Sequence, residues 1–537
     1  MENGTQKIVL KHRNGQPLFR VNIFDNQEYV DFKISGKFNV EDEEGNVVIK
    51  NVKSSLKWRI KIKESKSGKY RYFLVLYESF NKEQAEQKLA QARKIDENAK
   101  IRVLGGDIYL DDRKVNNNTK YMITVGNFTT ELEARRNIKS FQPEFLPRVE
   151  RECVKLPEGQ LEVFDAEYEK SAELANAVRI VPEDVQTKIK LFSIRSFNDL
   201  LQKDTYKDLV YNGTIEFRLD EHGNLMGISE IPLESYMKRV IFSEIGTDLP
   251  LEFSKSLAIV CRSEAMARIQ HRNLGEPFDY TYTGETLRYY GEDFEDENIE
   301  KAVALTEGQV IYAESFVRDT PFHLICGGHT EDATIDGERY EGAYFTGRYD
   351  WKESVKEYAD LSDETVVRKW ILSRPDAWCN LKGRKIPDSL EIAKSYFRWE
   401  VDYSRQELEE VIRKKTGEDI GILFEIIPLV RGSSGRLLEI ELIGSLRNYR
   451  IRGELAIREA LAYERLPSSC FLVERELDET GTPISFTFVG AGQGHGVGMC
   501  KTGAAVMAME NYTFQQILEH YFEDCQIQSI YEVNLEK

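Results

Sequence analysis

The chain has 537 residues, enough for several domains and sizeable cores. Hydrophobic residues make up 41% and aromatic residues 11%, the composition of globular rather than disordered protein. Acidic residues outnumber basic ones 91 to 73, a net charge of -18 that argues against a nucleic-acid partner, and no apolar run reaches the roughly 18 residues of a membrane span.

The start, Met1-Glu2-Asn3-Gly4-Thr5, is not a secretory signal. Residues 1–67 alternate apolar and polar with turn signals at Asn14-Gly15 and Glu44-Gly45-Asn46, which predicts a β-rich module. A weak repeat follows. Tyr72 to Leu76 leads through Phe80 into a helical pattern at Gln84 to Lys94, and Tyr121 to Gly126 leads through Phe128 into one at Glu131 to Phe141. Two strand–loop–helix units with a strand-like Ile101–Leu110 between them predict a small α/β sandwich over 68–148. Residues 149–200 have mixed polar composition and no strong period, and read as a connector.

In 201–537, Leu233, Tyr236, Met237, Val240 and Ile241 recur with helical period, and the next position on that face is Glu244. A carboxylate at the inner end of an apolar stripe is costly unless paired or functional. Burial would raise its pKa towards the range of a general acid. Gly246 offers a helix stop. A second helix follows Pro250, with Phe253, Leu257, Val260, Cys261 and Ala265 facing inward and Arg262 on a flank from which it could reach Glu244.

The seven cysteines are scattered and contain no Cys-x-x-Cys, so neither a disulfide scaffold nor a zinc ribbon is expected. His323, Cys326 and His329 lie close together and are the candidate ligands for a structural zinc; a metal-dependent hydrolase that adds His495 is a further reading. The run Gly492-Gln493-Gly494-His495-Gly496-Val497-Gly498-Met499 suits a backbone that turns tightly or lies against a ligand, with His495 as a titratable group in its middle. No Lys-Ser/Thr pair follows it, so it is not a phosphate loop.

Two family resemblances rest on these residues. Val125-Gly126-Asn127-Phe128 with Ala134, and the weaker Tyr77 to Phe80 with Ala85, resemble the SPOR domain, which implies binding of peptide-free peptidoglycan strands. Over about 205–527 the chain resembles the SpoIID/LytB family. The motifs are Tyr211-Asn212-Gly213, Leu233-Glu234-Ser235-Tyr236, Val240 to Glu244, the Ala-containing helix with Arg262, Cys326-Gly327-Gly328-His329-Thr330-Glu331, Ser433-Ser434-Gly435-Arg436 and Gly494 to Met499 with the segment after it. The family usually has glutamine where Leu257 stands, proline where Phe242 stands, and Ser-Gln-Tyr-Gly where this chain has Cys500-Lys501-Thr502-Gly503.

The resemblances imply a multidomain α+β protein: β-rich N-terminal module, SPOR-like sandwich and large SpoIID-like domain. They imply a lytic transglycosylase with Glu244 as general acid and base and no required cofactor. Tyr236, Arg262, Gln493, Gly494, His495 and Gly496 are the candidate substrate-binding residues. The alternative is a non-catalytic amidase enhancer that stimulates a partner cell-wall hydrolase. Glycan strands, and for the alternative a cell-wall amidase, are the implied partners. The implied location is the cell envelope, which carries the expectation that a targeting segment has been removed. Four of five tryptophans fall in 351–399, as sugar platforms if exposed and as core if buried.

Overall fold

The computed structural model describes residues 6–536 except 54, 143, 199–202, 283–286, 292, 314–315, 333–345 and 525. It is a mixed α+β structure with a β-rich N-terminal region. No described helix is long and apolar enough to cross a membrane.

Short alternating strands build the N-terminal part. In Tyr29–Ile34, Val30, Phe32 and Ile34 turn inward while their neighbours face out, the period of two of a half-buried strand. Two sheets pack face to face. One runs in the order 171–175, 158–165, 58–66, 29–34, 188–198, 203–212; the other contains Gln16–Gln27, Leu225–Pro232, Thr214–Leu219, Ala177–Pro182 and Phe38–Glu41 as successive neighbours. Aromatic rings bridge them: Phe32 to Phe217 at 5.9 Å and Phe38 to Trp58 at 5.4 Å. The β module is therefore not confined to 1–67. Residues 149–200, expected to be a connector, supply strands that complete both sheets. Their inward residues Leu161, Val163, Val178, Ile180, Ile189 and Leu191 are all buried. Charged outer residues hide this alternation from a composition reading.

The small unit is inserted into this sandwich: the strands that flank it, Trp58–Lys66 and Glu158–Asp165, pair with each other antiparallel. Its sheet has the order Arg148–Lys155, Lys69–Ser79, Lys120–Phe128, Lys100–Leu104, all antiparallel, with helices Lys82–Ala92 and Glu131–Asn137. Asn81 and Thr130 cap the helices by accepting from backbone N–H groups. At the corner before the second helix, Gly126 has φ +84°, and a Cβ there would lie 2.2 Å from the Phe128 ring. The Gly-x-Phe pattern is thus a packing requirement.

Two helices, Leu233–Ile245 and Leu251–Ala267, anchor the next part. The second is buried on every side from Ser256 to Ala267, beyond the single inward face expected, because helices and strands pack all round it. The segment 399–490 forms a further unit around Leu408, Ile412, Leu437, Ile440, Ile457, Phe471 and Phe488. It is spliced between two short strands that pair in parallel, Phe322–His323 with Met499–Cys500. Trp370, Trp378 and Trp399 are buried, and Trp351 is half-buried against Trp378, so three of these four tryptophans are core.

Candidate active site around Glu244

Glu244 lies in the last turn of its helix, buried where the apolar stripe places it. It is not alone there. Oε2 accepts from Lys501 Nζ at 2.7 Å, the same ammonium donates to the Glu244 carbonyl at 3.0 Å, and Oε1 accepts from the Arg288 backbone N–H at 2.9 Å. Both side chains of the pair are at most 5% exposed. Lys501 opens helix Lys501–Met509, directly after the residue that caps it, Cys500. Arg262 was the expected partner of this carboxylate; Lys501 is the observed one.

Arg262 does not reach Glu244. It is fully buried and donates to Glu234 Oε2 at 2.6 Å and to the Gln309 carbonyl at 2.8 Å. Glu234 Oε1 accepts in turn from the Gly308 N–H and the Tyr531 hydroxyl, each at 3.0 Å. Arg262 therefore pins the start of one helix to the middle of the next and is removed from the substrate-binding set. Tyr236 leaves it too: it is fully buried and stacked on Phe19 and Tyr280.

The glycine run wraps over protein. Gly492, Gly494, Gly496 and Gly498 all have φ between 71° and 100°. A Cβ at Gly494 would lie 2.9 Å from His323 Cβ, and one at Gly496 would lie 2.4 Å from the Arg436 guanidinium carbon. The glycines are explained by left-handed backbone and by these neighbours, with no ligand needed. Gln493 pairs its backbone with Ile325. The run also gathers the other motifs: Glu331 donates its N–H to the Gly496 carbonyl, and its carboxylate accepts from the hydroxyls of Ser433 and Ser434 at 2.9 and 2.6 Å.

His495 is half-buried. Its Nδ1 accepts from the Val497 N–H at 3.1 Å, which leaves the proton on Nε2, and its ring meets that of His323 at 5.7 Å. His323 is paired in register with Cys500, and Cys500 precedes Lys501. A continuous path of contacts thus joins His495 to Glu244.

The metal candidates separate. Cys326 belongs to a group with Asp350, Cys379 and Cys500 whose ligand atoms all lie within 4.8 Å of one another, all four residues buried. His323 and His329 are outside that group. His323 Nδ1 bonds the Val497 carbonyl at 3.1 Å, and His329 Nδ1 bonds the Thr330 carbonyl at 2.6 Å with its ring edge-on to Trp370. Burial holds the His329 pKa below its ordinary value. Burial pushes the Cys326 and Cys379 thiols well up; the same burial acts on Cys500, but hydrogen bonds from Cys326, Cys379 and His323 outweigh it and hold that thiol low. Sequence spacing did not reveal Asp350, Cys379 or Lys501. For Lys501 a signal existed, its departure from the resembled family's glutamine.

Comparison with known proteins bears on these motifs. Residues 221–312, which hold Glu234, Glu244 and Arg262, match the family model described as stage II sporulation protein, SpoIID. That stretch is similar to SpoIID. Residues 339–498 match a second model, a domain of unknown function, DUF8618, which takes in the inserted unit and most of the glycine run. An uncharacterized protein of Brachyspira hyodysenteriae (strain ATCC 49526 / WA1) is 24% identical over 411 residues, 74% of this chain and 97% of its own length. Stage II sporulation protein D of Bacillus amyloliquefaciens is 21% identical over 314 residues, 56% of this chain and 75% of that protein. The SpoIID match and the second relative support the family resemblance carried by the motifs around Glu244.

Proposed function

We propose that this protein remodels the cell wall by cleaving peptidoglycan glycan strands as a lytic transglycosylase, with Glu244 as its acid and base. The observation that carries this reading is the buried Glu244–Lys501 pair at 2.7 Å, at the end of the helix that the SpoIID match covers. One carboxyl group can perform both proton transfers. It protonates the glycosidic oxygen between N-acetylmuramic acid and N-acetylglucosamine; as carboxylate it then takes the proton of the muramic C6 hydroxyl, and the 1,6-anhydro ring closes without water. Lys501 supplies the proton for the first step along its existing hydrogen bond, turning the ion pair into a neutral pair, and takes it back after ring closure. The small unit over 68–148 is the glycan-targeting module of the same reading, and the protein acts at the cell envelope.

One observation favours the amidase-enhancer reading. All the hydrogen bonds found at the Glu244 carboxylate are ones it accepts, and one comes from a lysine where the resembled family has glutamine. A lysine that holds the carboxylate permanently would silence the acid. Digestion of peptide-free glycan strands, read by mass spectrometry, separates the two. Release of 1,6-anhydro products by the wild type, lost in Lys501→Ala, supports the catalytic pair. No products from the wild type, with stimulation of a cell-wall amidase, supports the enhancer. Products that appear only in Lys501→Gln would identify the lysine as a brake on the acid.

A further inference from the structure

We propose that Cys326, Asp350, Cys379 and Cys500 form a closed structural zinc site, a clamp that locks the helix bearing Lys501 onto three loops. Four ligand atoms lie within 4.8 Å of one another, every residue buried, and among the described residues this is the one group of its kind. Tetrahedral zinc with Zn–S of about 2.3 Å places its sulfur ligands about 3.8 Å apart, a spacing this group reaches with small side-chain movements. Cys326 Sγ is already 3.4 Å from Cys379 Sγ and 3.1 Å from Asp350 Oδ2.

The surroundings are arranged for thiolates and a carboxylate ligand. Cys500 Sγ accepts from the N–H groups of Cys326 and Gly503, both at 3.3 Å, and Cys326 Sγ accepts from the Gly328 N–H at 3.3 Å. Cys500 also caps the N-terminus of helix Lys501–Met509, where the helix dipole favours negative charge. Asp350 is oriented from behind: Oδ1 accepts from His520 Nε2 at 2.9 Å and from the Tyr521 hydroxyl at 3.0 Å, which leaves Oδ2 towards the sulfurs. A ligand carboxylate held by a histidine and a hydroxyl is the outer-shell pattern of metal sites.

A disulfide explains less. It would join two sulfurs at about 2.05 Å and leave the third sulfur and the carboxylate converging on nothing. Three soft sulfurs and one oxygen favour zinc over calcium or magnesium, and four protein ligands fill the shell, the mark of a structural rather than a catalytic ion. Each cysteine that enters as thiol gives up its proton as the Zn–S bond forms. The four ligands come from separate segments of sequence, so the ion would fix the entry to the inserted unit, the Asp350 and Cys379 loops and the first turn that carries Lys501. This inference stands whether or not Glu244 cleaves glycan.

The test uses the full chain, purified without chelator from zinc-supplemented cells. Elemental analysis should give about one zinc per chain, and cobalt exchanged into the site should show the thiolate charge-transfer bands of tetrahedral sulfur coordination. Asp350→Asn and Cys379→Ser should lower zinc affinity at least about tenfold, and His520→Gln about 10–100-fold through the outer shell. Cys153→Ser, outside the group, should leave it unchanged. If Cys379→Ser fails to fold, the wild-type zinc content and cobalt spectrum decide. A chain that neither carries zinc nor binds it more tightly than about 1 μM overturns the proposal, as does a disulfide between any two of the three cysteines in a non-reduced peptide map.

Discussion

Lys501 Nζ lies 2.7 Å from Glu244 Oε2, although the two residues are 257 apart in sequence. Breaking a buried pair on one side leaves an uncompensated charge, which costs about 3–5 kcal/mol, whereas replacing both partners with apolar groups of similar volume is often neutral. Lys501→Met and Glu244→Leu should each destabilise the protein in urea titrations by more than the double variant does. Additive losses would show that the two side chains do not compensate each other. Glu244→Gln will therefore lose stability as well as activity, so its cleavage must be measured at temperatures where it is shown to be folded.

The Arg262–Glu234 pair predicts a different outcome. Arg262 is fully buried, with Glu234 and the Gln309 carbonyl as partners. Arg262→Met should cost about 3–5 kcal/mol, because Glu234 is left charged and buried. The folded fraction should bind glycan strands as the wild type does. Loss of glycan affinity in a variant of wild-type stability would return Arg262 to the binding site.

The way these pairs were or were not legible follows from their physics. A 3.6-residue period placed Glu244 at the buried end of its helix, because one face of a helix is a local property of sequence. The partner was not local. Arg262 could face either of two glutamates on the neighbouring helix, and only the crossing of the helices selects Glu234. The strands in 149–200 are five to eleven residues long with charged outer faces, so their inward residues are too few to set a period. Asp350, Cys379 and Cys500 share no spacing rule, since segments brought together by tertiary folding carry no mark of it in sequence. By contrast, the Gly126-Asn127-Phe128 corner was readable because its cause, a ring over a glycine, is contained in three residues.

Two glycines separate backbone strain from packing. Gly383 has φ +75° with no atom within 4 Å of a Cβ, and Gly496 has φ +83° with a Cβ position 2.4 Å from the Arg436 guanidinium carbon. Gly383→Ala should cost about 1 kcal/mol, the strain of a left-handed alanine. Gly496→Ala should cost clearly more, as Arg436 is fully buried and must move away from the Gly494 carbonyl and the Ser434 hydroxyl. Equal losses in chemical denaturation would mean that the glycine run is fixed by backbone conformation alone.

A pH dependence follows from the contact between the small unit and the segment around Glu221 and Leu274. Strand Arg148–Lys155 meets the chain at Leu274, where the Cys153 N–H donates to the Leu274 carbonyl, and Arg151 bridges Glu221 and Glu276 at 2.5 and 2.9 Å. Burial raises the Glu276 carboxyl from 4.5 to about 7, and the pull of Arg151 does not cancel it. A carboxyl whose folded pKa is raised makes the native state bind more protons than the unfolded chain. Its favourable contribution is complete below about 4.5 and is lost as pH rises through about 7. The wild type should therefore lose stability relative to Glu276→Gln between these two values, with the difference levelling off above them. Melting temperatures of both proteins across that window check the sign. If the difference does not change with pH, or if the wild type gains on Glu276→Gln as pH rises, Glu276 is ionised in the folded protein and Arg151 outweighs its burial.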